Sequence, residues 1–140
     1  IEMNNVTADV VEIASSSGDV KLSDGKIDNF QIGTSSGYVT WKNTESEHIS
    51  ITAKSGEVNV SGLGEQTNAE VSTGSGDIGI SYGTQPQNLS FKISSGSDDV
   101  SVRLDDASYT METSACKQGK IGDGTYSLTV NSDSGTVVIH

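Results

Sequence analysis

A short phrase of serine, glycine and alternating aliphatic residues returns along this chain at a nearly fixed interval, and an interval of that size dictates a repeat architecture. The phrase reads SSSGDVKL at 15–22, TSSGYVTW at 34–41, AKSGEVNV at 53–60, TGSGDIGI at 73–80 and SDSGTVVI at 132–139. Two weaker copies are ISSGSDDVSV at 93–102, with two extra residues after its glycine, and TSACKQGK at 113–120. With the glycine as origin, Gly18, Gly37, Gly56, Gly76, Gly96, Cys116 and Gly135 are spaced 19, 19, 20, 20, 20 and 19 residues apart.

Within each copy apolar residues alternate with polar ones, which is the period of a strand and not of a helix. Five and seven positions before the glycine stand Val11/Ile13, Phe30/Ile32, Ile49/Ile51, Ala69/Val71, Leu89/Phe91, Tyr109/Met111 and Leu128/Val130. Two and four positions after it stand Val20/Leu22, Val39/Trp41, Val58/Val60, Ile78/Ile80, the displaced pair Val100/Val102, then Gln118/Lys120, then Val137/Ile139. Of these 28 places 26 are apolar. A chain that is only 32% hydrophobic, with 16 Gly and a net charge of −11, has the composition of a disordered segment. Sorting its hydrophobics into four columns excludes that reading.

The corner between the two strands has its own chemistry. Ser17-Gly18, Ser36-Gly37, Ser55-Gly56, Ser75-Gly76, Ser95-Gly96 and Ser134-Gly135 form it in six copies. Glycine there supplies a positive φ or a close backbone approach, and the serine hydroxyls are expected to bond along the column and to the turn backbone. Cys116 takes the glycine seat in the sixth copy, whose following strand has lost both apolar anchors, so distortion is expected there.

A unit of strand, Ser-Gly corner, second strand and polar return has one apolar face and must stack on copies of itself. The expected fold is all-β: a parallel β-solenoid of about seven coils of 19–20 residues, right-handed by the crossover rule. The alternative is an antiparallel β-sandwich of repeated hairpins. The solenoid is preferred because like residues recur at like positions, and because Asp24-Gly25 and Asp123-Gly124, the usual hairpin turns, fall in the returns. All 140 residues form one repeat domain with an N-terminal cap at about 1–9. The chain opens at Ile1 without an initiator Met or an apolar leader, which reads as a processed or excised piece. Ending in the apolar run Thr136–His140, it is expected to expose a strand edge at a terminal coil and to self-associate weakly through its ends.

The phrase Ser-Ser-Gly-Asp-Val-x-Val, carried by Gly18, Gly37, Gly56, Gly76, Gly96 and Gly135 with their flanking aliphatics, resembles a bacterial family of adhesin-named domains of unknown function. The resemblance covers the whole chain. It implies a β-helix-like domain outside the cytoplasm, at the cell envelope or surface, attached to the membrane only through an anchor beyond this chain. It supplies no catalytic residues.

Chemistry outside the corners is sparse. The 19 acidic residues against 8 basic ones leave no surface to neutralise phosphates, so nucleic acid is excluded as a partner. Asp19, Glu57 and Asp77 form an acidic column after the glycine, which calcium could bridge only with six or more oxygens around it; the reading here is a solvated column and no metal or other cofactor. Asp98, Asp99, Asp105 and Asp106 around Arg103 are where a polysaccharide lyase or hydrolase would place its acid and base. His48 and His140 are expected on different coils, and Cys116 as a half-buried small residue. Trp41 reads as core, whereas Tyr38 and Tyr82 are candidate ligand-facing aromatics. The expectation is a non-enzymatic adhesin or interaction module with an unassigned surface ligand; the alternative is a carbohydrate-active β-helix enzyme.

Overall fold

Alternating sequence gives strands and no helix. A computed structural model describes residues 1–140. Its strands are β1 (Glu2–Asn4), β2 (Thr7–Ser15), β3 (Val20–Ser23), β4 (Lys26–Ser36), β5 (Val39–Lys42), β6 (His48–Ser55), β7 (Val58–Leu63) and β8 (Asn68–Ser75). There follow β9 (Ile78–Tyr82), β10 (Leu89–Ser95), β11 (Val100–Val102), β12 (Ser108–Glu112), β13 (Cys116–Ile121), β14 (Tyr126–Ser134) and β15 (Val137–Ile139).

They form two sheets. The eight-stranded one runs β12-β13-β10-β14-β8-β6-β4-β2, the seven-stranded one β1-β3-β5-β7-β9-β15-β11. Six of the repeats each give a longer strand to the first sheet, turn at the Ser-Gly corner, and give a shorter strand to the second. Pairing between these coils is parallel, and Phe30, Ile49, Ala69 and Leu128 stand in one row and Val39, Val58, Ile78 and Val137 in another; only β10 is displaced, by two residues, so that Phe91 and not Leu89 stands beside Leu128. The fold is therefore the solenoid and not the sandwich of hairpins.

The apolar columns meet between the sheets in one continuous core of 28 buried residues. Phe30 from one sheet meets Trp41 from the other edge-on, with ring centroids 4.7 Å apart. Each such fully buried aliphatic or aromatic side chain contributes about 1.5–3 kcal/mol relative to exposure, so a narrow core sustained over six coils suffices for a hydrophobic-poor chain. Among the expected inward positions, Val11 and Val102 are half-buried against this core, and Tyr109 and Met111 are exposed.

Two expectations need correction. The coils do not stack in sequence order. The last repeat, β14 and β15, is inserted between the fourth, β8 and β9, and the fifth, β10 and β11. The C-terminal strand is consequently internal and exposes no edge: Val137, Val138 and Ile139 pair with Ile78, Gly79 and Ile80 on one side and with Val100, Ser101 and Val102 on the other.

The sixth repeat is not a coil. It folds into an antiparallel hairpin, β12 on β13, with β13 antiparallel to β10. The lost apolar anchors explain this, because Gln118 and Lys120 cannot face a core, and both are exposed. Gly119 falls between Phe91 and Tyr109 in the ladder, and a Cβ there would come 2.9 Å from the Phe91 ring. The missing side chain lets Tyr109 reach over and pack edge-on against Phe91, centroids 5.6 Å apart. The hairpin thus covers the outer end of the core.

Residues 1–9, expected as a cap, contain β1 and the first residues of β2, a half coil whose Glu2–Asn4 pair in parallel with Lys21–Ser23.

Candidate functional site

The Ser-Gly corners form a stacked column in which backbone approaches backbone. Gly18, Gly37, Gly56, Gly76 and Gly135 have φ between 101° and 142°. A Cβ on Gly37 would collide with the carbonyl of Gly18, one on Gly56 with that of Gly37, one on Gly76 with that of Gly56, and one on Gly135 with that of Gly76. Glycine is thus required twice over, by φ and by crowding, except at Gly18, where nothing lies within 4 Å. Gly96 lacks a positive φ; in that expanded turn Asp98 takes the left-handed conformation at φ 57°.

The serines bind the column to itself. Ser36 Oγ donates to the Ser16 carbonyl at 3.4 Å, Ser55 Oγ to that of Ser35 at 3.1 Å, and Ser95 Oγ to that of Gly135 at 2.6 Å. Ser17, Ser75 and Ser134 are exposed. The buried inner corner lies two residues earlier, at Thr34, Ala53, Thr73 and Ser132, where Thr73 Oγ1 donates to Ser132 Oγ at 3.1 Å.

The acidic residues after the glycines are committed to the same column. Asp19 Oδ1 accepts the N–H of Tyr38 at 3.1 Å, and Asp77 Oδ1 that of Thr136 at 2.8 Å. Glu57 accepts from the Asn59 amide at 2.7 Å. These carboxylates close one coil onto the next or brace their own strand, and no group of three or more His, Cys, Asp or Glu side chains is placed to hold a metal ion.

A second left-handed column escaped the sequence reading. Asn5, Asp24, Asn43 and Gly62 have φ of 53°, 52°, 45° and 71°, and turn the chain from the seven-stranded sheet back to the eight-stranded one. Their backbones are linked, Asn5 N–H donating to the Ser23 carbonyl at 3.0 Å, Asp24 N–H to that of Lys42 at 3.1 Å and Asn43 N–H to that of Ser61 at 3.0 Å. The signal was present as Asn, Asp, Asn and Gly recurring every 19 residues, the residue types that tolerate this conformation.

The acids at 98–106 lie on the two sides of β11. Asp98 and Asp99 precede it, Asp105 and Asp106 follow it, and all four are exposed. Asp99 Oδ2 accepts the Thr136 hydroxyl at 3.1 Å, and Asp106 serves as a left-handed turn residue at φ 58°. Arg103 is exposed and bridges none of them; the single ion pair of the chain is Lys117–Glu112 at 3.2 Å. His48 lies on β6 in one sheet, while the His140 N–H donates to Ile80 in the other. Half-buried Cys116 sits in the tight turn of the hairpin, where its N–H donates to Thr113 Oγ1 at 2.9 Å.

Of the aromatics, Trp41 is core and Tyr38 is exposed. Tyr82 is not ligand-facing. It ends β9 and packs against the core with its hydroxyl buried and unpartnered, and burial pushes the phenol above its ordinary pKa.

What remains as a candidate surface is the outward face of the eight-stranded sheet. Register places Glu12, Gln31, Ser50, Glu70, Thr129 and Lys92 side by side in one row across six strands. The neighbouring row contains Val10, Asn29 and His48. A shallow cavity of about 350 Å³ lies over these two rows. With strands about 4.8 Å apart, such a row offers amide, hydroxyl and carboxylate groups at a constant spacing perpendicular to the strands, suited to an extended polar ligand.

The family model described as Toastrack DUF4097, a domain of unknown function, matches residues 1–140. No curated protein and no solved structure gives a match.

Proposed function

The chain belongs to the Toastrack DUF4097 family, and from that premise we propose that it is a non-enzymatic interaction module displayed at the bacterial cell envelope, acting in adhesion or ligand presentation. The observation that carries this reading is the polar row from Glu12 to Lys92 on the outward sheet face, with the shallow cavity over it. A surface of regularly spaced donors and acceptors on a rigid parallel stack is pre-ordered, so an extended glycan or peptide laid across it meets groups that need little further ordering.

The commitment of Asp19, Asp77 and Asp99 to bonds between coils supports the same reading, since these carboxylates serve the scaffold. The acidic coat suits a module that must stay dissolved while presenting a face to a partner.

The test is retention of purified bacterial envelope polysaccharides on the immobilised chain, compared with a Gln31→Lys/Glu70→Lys variant. Retention lost in the variant, with no new reducing ends released, is the expected result. Release of reducing ends that disappears in Asp98→Asn or Asp105→Asn would replace this reading with the carbohydrate-active enzyme.

A further inference from the structure

We propose that copies of this chain stack head to tail, the free edge of β12 in one copy pairing in parallel with the free edge of β2 in the next. The inference rests on the two ends of the stack, where Val10 of β2 also borders the cavity of the outward face.

β12 and β2 are the outermost strands of the eight-stranded sheet, and each has a partner on one side only. Their polarity matches. β13 is antiparallel to β10 and β12 is antiparallel to β13, so β12 runs in the direction of β10. From β10 to β2 every pairing is parallel. The hairpin therefore reverses the chain twice and restores at one end the strand direction found at the other. A copy moved along the stack meets an edge of the right sense to continue the parallel ladder. In the other sheet the Val100 N–H already donates to the Ser114 carbonyl at 3.0 Å, so loop covers that end and the pairing belongs to the eight-stranded sheet.

Exposed apolar surface is concentrated at these same ends. The exposed large hydrophobic residues are Ile1, Val10, Tyr38, Tyr109 and Met111. Val10 lies on β2 and Tyr109 and Met111 on β12, whereas Tyr38 lies elsewhere and Ile1 adjoins the seven-stranded sheet.

Charge favours this orientation over head-to-head contact. β2 carries Asp9 and Glu12 and no base, and no Lys or Arg occurs in residues 1–20. The hairpin carries Lys117 and Lys120 against Glu112. Two β2 edges would bring acids together, whereas the hairpin presents unpaired Lys120 one strand in from its edge, Lys117 being already paired with Glu112. Such a contact uses different surfaces on the two copies, so it leaves a free end at each step and grows without closing. It is short, because β12 has five residues and an irregularity between Tyr109 and Met111, and so association is weak and strongly concentration-dependent.

Sedimentation velocity of the chain under reducing conditions, carried to millimolar concentration, tests this with Val10→Lys and Met111→Glu, both at exposed positions. Wild type should form a growing series of oligomers with no plateau at the dimer. Each variant alone should sediment as a monomer with an unchanged circular dichroism spectrum. Their equimolar mixture should associate again, because one retains the tail and the other the head. A wild type that stays monomeric throughout, or either variant self-associating alone, would overturn the proposal.

Discussion

The N–H of Thr136 donates to the carboxylate of Asp77 at 2.8 Å, joining residues 59 apart in sequence by the same bond that Tyr38 makes to Asp19 across 19. The coil that follows the fourth repeat in space is thus the seventh in sequence, and the corner treats it as an ordinary neighbour. Asp77→Ala should cost about 1.5–3 kcal/mol, the value of a hydrogen bond to a charged acceptor, and Asp77→Asn less, since it keeps an acceptor. Urea denaturation of both variants checks the order; equal loss in the two would remove the bond from the account.

The glycine column separates conformational strain from crowding. Gly18 and Gly56 both have a left-handed φ, 101° and 121°, but a Cβ at Gly18 meets nothing while one at Gly56 strikes the Gly37 carbonyl. Gly18→Ala should therefore lose only the left-handed penalty of about 1–2 kcal/mol. Gly56→Ala should lose that and an overpacking cost of about 1–3 kcal/mol more. Thermal melts of the two variants measure the difference, and coincident melting temperatures would refute the stacked-carbonyl explanation.

These two cases also show what the sequence could and could not disclose. Position within a coil was legible because it is a local property: the alternation at Ile49/Ile51 or Val58/Val60 fixes which side chains face inward, whatever lies above or below. Order of stacking was not legible, because every coil presents the same apolar columns and the same backbone polarity. Leu128 can sit beside Ala69 as well as Leu89 can. The hairpin was half visible, in Cys116, Gln118 and Lys120, which announce a failed coil without saying where the chain goes instead. The polar row was legible in part: Glu12, Gln31, Ser50, Glu70 and Thr129 each stand six before their glycine, whereas Lys92, four before Gly96, joins them only through the displacement of β10 on β14.

Tyr82 provides a pH test. Its buried hydroxyl has no partner and its pKa is raised by desolvation. A phenol whose folded pKa lies above its unfolded value near 10 favours folding fully below that value and loses the contribution progressively as pH rises from there to the folded pKa. At neutral pH Tyr82→Phe should match wild type or exceed it by up to about 1 kcal/mol, because the unpaired buried group is removed. Above pH ~10 wild type should fall relative to the variant by up to about 1.4 kcal/mol per pH unit. Denaturation curves of the pair between pH 7 and 11 would contradict the assignment if the gap stayed constant.

Hydrogen exchange distinguishes an inserted C-terminal coil from a terminal one. Chain ends ordinarily fray, and the last repeat of a linear solenoid has a neighbour on one side only. Here the Val137 N–H donates to Asp99 at 2.9 Å, the His140 N–H donates to Ile80 at 2.9 Å, and the His140 carbonyl accepts from Tyr82 at 2.8 Å. Leu128, Val130, Val137 and Ile139 are fully buried between the fourth and fifth coils. Releasing this coil would strip both neighbours of their partners at once, so it should open only with global unfolding. The amides of Val130, Val137 and His140 should accordingly exchange more slowly than those of β1 and β2, whose strands lie at an edge. Faster exchange at the C-terminal residues than at β2 would show that the coil detaches on its own and would return the stack to sequence order.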